Sequence, residues 1–423
     1  MKTNECKDSI TIPEGTEAIG MSAFADCTNL KEVKLPSTLR EIGACAFSNC
    51  INLKEVKLPS TLRRIGIHAF AGSGIEHLVI PEGIIFIDDW TFACCKNLKE
   101  ITLPSTLREI GIGAFDGSGI EHLVIPEGVE KIGECAFEDC KNLKEVKLPS
   151  TLREIGGHAF VDCINLKEVK LPSTLEEIGM CAFAGCTNLK EVKLPSTLRE
   201  IGGHAFEGSS IEQLVISEGV EKIGRCAFED CKNLKEVKLP STLREIGGHA
   251  FVDCINLKEV KLPSTLEEIG MLAFTGCTNL KEVKLPSTLR RIGELAFVGS
   301  GIEQLVISEG VEKIGRCAFE DCKNLKEVKL PSTLEEIGMS AFTGCTNLKE
   351  VKLPCILREI GLYAFAGSGI EHLVIPEGVE KIGGCAFEDC KNLKEVKLPS
   401  TLEEIGLYAF EGCENIEIQK KEW

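Results

Sequence analysis

Hydrophobic and polar residues follow a fixed order that recurs about every 23 residues, most plainly in residues 143–165. Leu143, Val146 and Leu148 occupy the first, fourth and sixth positions of the segment LKEVKL, and lysine or glutamate fills the others. Alternation over the last four of these residues predicts a β-strand with one buried and one exposed face. Pro149 follows at once and lacks an N–H for a strand ladder, so it predicts the end of the strand.

The remainder of the repeat predicts a return segment and a corner. Leu152 and Ile155 are two further inward positions, and Gly156 suits a tight bend. The stretch around Phe160 is too short for more than one or two helical turns, so short helical or turn segments are expected on the convex side. Asn165 precedes the next strand, where an asparagine side chain suits a corner by bonding to the turn backbone.

Phenylalanine tracks the repeat along the whole chain, because eighteen of the nineteen phenylalanines recur at steps of 22 or 23 residues. A fixed period of this length predicts a solenoid, in which each repeat buries its apolar face against its neighbours. We therefore predict one solenoid domain over residues 1–423, with minimal polar caps at 1–8 and 414–423. The column comprises Phe24, Phe47, Phe70, Phe92, Phe115, Phe137, Phe160, Phe183, Phe206, Phe228, Phe251, Phe274, Phe297, Phe319, Phe342, Phe365, Phe387 and Phe410.

Five repeats are one residue shorter than the rest, beginning at Gly72, Gly117, Gly208, Gly299 and Gly367. In these short repeats serine replaces a recurrent cysteine, and the outward strand residues become Glu, then His or Gln, then Val. Residues 129–219 and 220–310 are nearly the same 91-residue block, which indicates that four repeats were duplicated together.

Charge is distributed unevenly between the faces that this pattern predicts. The formal net charge is −17. Eleven strands present Lys-Glu-Lys outward, five present a net negative charge and one is neutral, so the sheet face carries about +6 and the remainder about −23. The candidate binding residues on this face are Lys144, Glu145, Lys147, Lys167, Lys170, Lys190 and Lys193, together with the short-repeat residues His122, Val124, Gln213, Val215, Gln304 and Val306.

Two interpretations of this face remain open. It could bind a protein partner that is acidic on the contacting surface, with the less charged short-repeat residues as contact points. Alternatively, it is a solvated face whose lysines and glutamates pair diagonally, and the short repeats reflect drift among duplicated copies. The acidic chain argues against nucleic acid as the main partner.

Cysteine is abundant, at 22 residues, but it follows the repeat. One column, for example Cys140, alternates with serine and predicts small buried packing residues rather than a disulfide framework. A second column contains Cys135, His158 and Cys181, which are zinc-ligand types, yet the same column accepts Tyr363. This tolerance favours a convex surface position, and we predict neither a metal site nor a cofactor.

Catalysis and membrane insertion are not expected. Every candidate Ser, His or Asp recurs as a repeat column, whereas a catalytic site needs one unique constellation. No apolar run reaches the roughly 20 residues that span a bilayer. Residues 1–8 are polar and lack the apolar core of a secretory signal, so the sequence as it stands favours a cytoplasmic location.

The motif L-x-x-V-x-L-P-x-x-L-x-x-I-G-x-x-A-F-x-x-C, as in residues 143–163 and 234–254, resembles the BspA-like leucine-rich repeats. The resemblance covers about residues 9–413. It implies a right-handed leucine-rich solenoid with a parallel sheet on one face. It also implies a cell-surface or secreted location and a role in adhesion, in binding host or matrix proteins, or in coaggregation.

The sequence therefore predicts a non-enzymatic protein-binding or adhesion scaffold that uses the sheet face. One alternative is a structural protein that assembles through its ends or sides, since a solenoid needs polar terminal caps and those here are slight. The other is an intracellular adaptor.

Overall fold

The computed structural model describes residues 6–414 and 416–420. The chain divides into two compact units, Met1–Ile211 (unit 1) and Glu212–Trp423 (unit 2). Each unit is a parallel-strand solenoid in which successive repeats form successive turns, as the sequence predicts. The prediction of a single domain over residues 1–423 stays a prediction.

Each turn of unit 1 contributes one strand to each of two parallel ladders. The first ladder contains the predicted strands, and the second is formed by the Glu-Ile segment that follows the proline turn. The first ladder consists of Ser9–Thr11, Glu32–Lys34, Glu55–Val56, His77–Val79, Glu100–Thr102, His122–Val124, Glu145–Lys147, Glu168–Val169 and Glu191–Lys193. The second consists of Ala18–Ile19, Glu41–Ile42, Arg64–Ile65, Phe86–Ile87, Glu109–Ile110, Lys131–Ile132, Glu154–Ile155, Glu177–Ile178 and Glu200–Ile201.

Unit 2 has the same two ladders. Isolated bridges at Glu350 and Val351 stand where one strand of the first ladder is expected. The first ladder consists of Gln213–Val215, Glu236–Lys238, Glu259–Val260, Glu282–Leu285, Gln304–Ile307, Glu327–Lys329, His372–Val374, Glu395–Leu398 and Glu417–Lys420. The second consists of Lys222–Ile223, Glu245–Ile246, Glu268–Ile269, Arg291–Ile292, Lys313–Ile314, Glu336–Ile337, Glu359–Ile360, Lys381–Ile382 and Glu404–Ile405.

The register places equivalent residues of neighbouring turns directly beside each other. Val146 pairs with Val169, and Ile155 pairs with Ile178. The phenylalanine column is buried from Phe47 to Phe387, which confirms its predicted place in the core. Phe160, for example, is fully buried, with its ring centroid 5.2 Å from those of both Phe137 and Phe183.

The convex side differs from the prediction, because the described residues contain turns and no helix. His158 and Asp162 have left-handed φ values of 59° and 54°, and equivalent residues recur in other repeats. Left-handed residues interrupt a right-handed helix. The backbone N–H groups of His158, Phe160 and Asp162 instead donate to carbonyl oxygens of the next turn, at 2.8–2.9 Å. The described residues accordingly include no helix long and apolar enough to cross a membrane.

The recurrent cysteines are packing residues, as predicted, with one exception. Cys163 is fully buried, its Sγ lies 3.2 Å from the backbone oxygen of Phe137, and burial raises the pKa of its thiol well above the ordinary value. In the short repeats serine takes the same place, and Ser118 Oγ lies 3.2 Å from Cys140 Sγ. The exception is Cys27, which forms a disulfide with Cys6.

Candidate functional site

The exposed side chains of the first ladder form three columns, one for each outward position of a strand. We call them column 1, column 2 and column 3, and Lys144, Glu145 and Lys147 represent them in one turn. These side chains are solvent-exposed, by 49% for Lys144 and 67% for Lys147, while Val146 between them is buried. The predicted outward residues therefore lie on the surface that the sequence assigns to them.

Two groups of three successive long turns carry the same lysine-rich arrangement. Lysine patch A, in unit 1, consists of Lys144, Lys167 and Lys190 in column 1, Glu145, Glu168 and Glu191 in column 2, and Lys147, Lys170 and Lys193 in column 3. Lysine patch B, in unit 2, consists of Lys235, Lys258 and Lys281, Glu236, Glu259 and Glu282, and Lys238, Lys261 and Lys284.

Patch B was not among the residues singled out from the sequence. The sequence contains the signal for patch B, because each residue of patch B lies 91 positions after its equivalent in patch A, within the duplicated block.

Patch B also contains a shallow groove of about 450 Å³ between the strands of Lys261 and Lys284, and Pro286 contributes to its lining.

Column 3 lysines pair with the glutamate of their own strand. The Nζ–Oε1 distances are 4.0 Å for Lys147–Glu145, 3.4 Å for Lys170–Glu168 and 3.8 Å for Lys193–Glu191. In patch A the predicted diagonal pairing is therefore wrong for column 3, since the partners lie two residues apart on one strand. Such exposed pairs add about 0–1 kcal/mol each to stability, but they offset the charge of column 3.

Column 1 lysines pair only where an acidic residue occupies the same column in a neighbouring turn. Lys144 Nζ lies 2.6 Å from Glu121, and this hydrogen bond is the main reason that the pKa of Glu121 is lowered. Lys167 has a lysine in column 1 on each side, and so has Lys258 in patch B. Among the residues that the structure describes, neither Lys167 nor Lys258 makes an ion pair.

The backbone hydrogen bonds between neighbouring column 1 residues differ in length. The N–H of Lys167 donates to the carbonyl oxygen of Lys144 at 3.4 Å, whereas the N–H of Lys144 donates to that of Glu121 at 2.9 Å. In patch B, Lys258 donates to Lys235 at 3.2 Å and Lys235 donates to Glu212 at 2.9 Å. Like charges directly opposite each other destabilise strand pairing. The bond from the N–H of Glu121 to the carbonyl oxygen of Lys99 also measures 3.2 Å, so charge alone does not set these lengths.

The second ladder contains pairs of opposite charge between neighbouring turns. There, Lys131 Nζ lies 2.9 Å from Glu154, Lys222 lies 3.3 Å from Glu245, and Arg153 also pairs with Glu176. The second ladder nevertheless also contains like-charge neighbours, because Glu154 lies in register with Glu177 and Glu245 with Glu268. In each lysine patch, the central lysine of column 1 has no ion-pair partner among the described residues.

The short-repeat residues border the lysine patches. Val124 is 60% exposed and pairs in register with Lys147 of patch A, and His122 pairs with Glu145. In unit 2, Val215 is 49% exposed and pairs with Lys238, while the half-buried Val306 pairs with Lys284. Gln213 and Gln304 occupy column 2 in those turns, opposite Glu236 and Glu282.

The short repeats also make structural contacts with the turns that follow them. The carboxylate of Glu127 accepts hydrogen bonds from the N–H and hydroxyl of Ser150, at 3.1 and 2.9 Å. Glu218 accepts the same pair of bonds from Ser241, and these bonds lower the pKa of Glu218. The short repeats thus have a structural role, whatever their outward residues contact.

The second cysteine and histidine column lies on the convex turns, and its members have left-handed φ values, for example 54° at Cys135 and 57° at Cys181. His204 Nδ1 lies 2.7 Å from the carboxylate of Glu207, three residues along the same turn. Taking the described residues of each unit by itself, no three His, Cys, Asp or Glu side chains bring their ligand atoms within 4.8 Å of one another.

Comparison with known proteins decides the family. The model of the BspA type leucine rich repeat region matches residues 3–121, 108–231, 205–326 and 312–420. The chain belongs to the BspA-type leucine-rich repeat family. This confirms the resemblance noted in the sequence, and the leucine-rich repeat fold places the protein among repeat scaffolds of the kind that mediate protein interactions.

Solved structures of bacterial leucine-rich repeat proteins are similar to this BspA-type protein. A leucine-rich repeat protein from Bacteroides ovatus is 30% identical, with 98% of this chain and 92% of that chain covered and a TM-score of 0.65. A leucine rich cell surface protein from Faecalibacterium prausnitzii is 25% identical, with coverages of 82% and 87% and a TM-score of 0.36. Comparison with curated proteins finds no match.

Proposed function

We propose that this BspA-type protein is a non-enzymatic binding scaffold whose lysine patches A and B contact an acidic surface of a protein partner. The observation that carries the proposal is the unpaired state of Lys167 and Lys258, each held between two further lysines in column 1. Such charge promotes association with an acidic surface by steering the encounter and favouring that partner over others. The family resemblance implies adhesion as the biological form of this binding.

The structural argument for a binding role is that, among the described residues, the central lysines of column 1 form no ion pair that would stabilise the fold. Like charges in register oppose strand pairing. In the second ladder, by contrast, Lys131 and Lys222 pair with glutamates of the next turn. An acidic partner would compensate the lysine columns in the complex.

A direct test measures binding of a short fluorescent oligoglutamate to the full chain by anisotropy over a range of salt concentrations. We expect affinity to fall as salt rises, because screening weakens contacts between exposed charges. Changing Lys167→Glu and Lys258→Glu together should weaken binding at least tenfold. The matched control is Lys141→Glu with Lys232→Glu, which makes the same charge change at exposed lysines outside the patches.

Binding that ignores salt and is equally unaffected by both double substitutions would refute the proposal. Binding that instead disappears when Val215 and Val306 are changed to lysine would move the contact from the lysine patches to the short-repeat residues. No cofactor or metal enters the proposed interaction.

Self-assembly is the second candidate, and one surface of unit 2 favours it. Leu407 and Tyr408 are 79% and 63% exposed on the convex turns, and Leu362 and Tyr363, two turns earlier, are 49% and 42% exposed. Exposed apolar residues in such numbers are typical of contact surfaces. Size-exclusion chromatography with light scattering, on the wild type and on Leu407→Glu with Tyr408→Lys, distinguishes the candidates. A concentration-dependent oligomer that this variant abolishes would favour assembly.

A further inference from the structure

Column 1 of each lysine patch has a spacing that selects the shape of its ligand. Neighbouring strands of a sheet lie about 4.8 Å apart, so three successive column 1 lysines cover about 9.6 Å measured across the strands. Lys235, Lys258 and Lys281 form such a row in patch B, and Lys144, Lys167 and Lys190 form its equivalent in patch A. A ligand that engages all three lysines must present its negative charges at a similar interval.

An α-helix meets this requirement more closely than an extended strand does. Residues i, i+3 or i+4, and i+7 share one face of a helix, and at about 1.5 Å per residue they extend over about 10.5 Å. Residues i, i+2 and i+4 share one face of a strand and extend over about 13 Å. The helical interval differs from the lysine row by about 1 Å and the extended interval by more than about 3 Å, so a helix requires the smaller displacement of the lysine side chains.

The surroundings of the row restrict the ligand further. In patch B, Glu212 occupies column 1 on one side of the three lysines and Glu303 occupies it on the other, and Lys235 and Lys281 bond to these glutamates. On the sheet itself, column 2 is a row of glutamates, and Glu236 and Glu259 form ion pairs with the column 3 lysines of their own strands. A long polyanion would meet Glu212, Glu303 or column 2, whereas a stripe of three carboxylates fits between them.

We propose that column 1 of each lysine patch binds an acidic α-helix of the partner, laid across the strands, with one stripe of three carboxylates. This inference rests on the proposed function and adds the secondary structure and charge pattern of the partner segment. The central lysines, Lys167 and Lys258, receive the middle carboxylate of the stripe. The bound carboxylates separate the positive charges of the row, whose central lysine is unpaired in the free protein.

The test uses three 18-residue peptides of matched charge with the full chain. The first is a lactam-stapled helix with glutamate at i, i+4 and i+7. The second places proline in the middle of the same sequence, which disrupts the helix. The third alternates glutamate with threonine and is extended. Anisotropy is measured for the wild type, for Lys167→Glu with Lys258→Glu, and for the control Lys141→Glu with Lys232→Glu, with heparin as a non-protein polyanion.

We expect the stapled helix to bind at least tenfold more tightly than the other two peptides. The Lys167→Glu and Lys258→Glu substitutions should remove that preference, and the control should retain it. Equal or tighter binding of the extended peptide, still dependent on Lys167 and Lys258, would overturn the helix and leave the proposed function intact. If heparin displaces the stapled helix at equal concentration of charge, the proposal of a helical protein ligand is overturned in favour of a polysaccharide ligand. If neither lysine affects any peptide, the helix and the proposed function both fail.

Discussion

Replacing Phe160 with alanine tests whether the phenylalanine column holds neighbouring turns together. The ring is fully buried and stacks on Phe137 and Phe183 at 5.2 Å, with interplanar angles of 13° and 3°. Removing a buried phenylalanine side chain costs about 3–5 kcal/mol. Each aromatic pair adds about 0.5–1.5 kcal/mol beyond burial, so the upper half of that range is expected. The matched control is Lys170→Ala, whose side chain is 87% exposed.

Hydrogen–deuterium exchange read by mass spectrometry is the appropriate assay, because turns of a solenoid contact only their neighbours and destabilisation should be local. A loss of 3–5 kcal/mol corresponds to exchange faster by about two to three and a half orders of magnitude. The acceleration should be largest between residues 137 and 183. Lys170→Ala should change exchange by less than about threefold, since exposed substitutions usually stay within 0.5 kcal/mol.

Two results would refute this reasoning. Similar, small changes in the Phe160→Ala and Lys170→Ala proteins would mean that the phenylalanine column does not carry the core. Acceleration spread evenly over unit 1, with no maximum near residue 160, would mean that stability is not transmitted from turn to turn.

Two further predictions concern titrating side chains. In native protein at pH 8, a thiol reagent should react quickly at the exposed Cys94 and Cys355 and slowly at buried thiols such as Cys95. Burial raises the pKa of Cys95 to about 11, which keeps its thiol protonated at this pH. Fast reaction of the buried cysteines would contradict their role as packing residues. Hydrogen bonds from Ser241 lower the pKa of Glu218, so their stabilising effect is present above the unfolded-state pKa and is lost as pH falls through the folded value. Melting temperature between pH 6 and 3 should therefore fall less steeply in Glu218→Gln than in the wild type, and parallel curves would exclude this contribution.

The first ladder and the phenylalanine core were predictable because each leaves a periodic pattern in the sequence. Alternation over Val146–Leu148 indicates a strand, and the step from Phe137 to Phe160 indicates stacking. The second ladder was missed because Glu154–Ile155 is two residues long, too short for alternation to show. Its partner strand, Glu177–Ile178, becomes apparent only once consecutive repeats are aligned in register.

The convex helix was predicted wrongly because the first of its two left-handed positions, represented by His158, is seldom glycine, although the second, represented by Asp162, is glycine in other repeats, as at Gly185 and Gly276. His158, Cys181 and Tyr363 adopt φ values of 55–59°, although such side chains rarely do so. Gly113 occupies the same position as these residues and has a φ of 57°. It is the one glycine at this position, so it alone indicates a left-handed conformation there. The hydrogen bonds to the next turn hold the other residues in it.

For the candidate site, the sequence predicts which residues are exposed but not how they pair. Whether Glu145 contacts Lys147 on its own strand or a lysine of the next turn depends on side-chain rotamers, which repeat spacing does not determine. The difference between Lys144 and Lys167, in contrast, follows from the order of residues in column 1. Reading that column turn by turn finds three lysines bordered by glutamate at position 121 and predicts an unpaired centre.

The lysine patches and the second ladder place charged side chains at the same spacing with different results. Both ladders impose a spacing of about 4.8 Å on their outward side chains, so any charge repeated in register acts on its neighbour. In the second ladder Lys131 and Glu154 turn that proximity into attraction, at 2.9 Å. In column 1, Lys144 and Lys167 stand side by side as like charges, which opposes strand pairing. The recurrence of this arrangement 91 residues later follows from the duplicated block and is no separate support for binding. Under the proposed function, an acidic partner supplies the opposite charge that Lys167 and Lys258 lack.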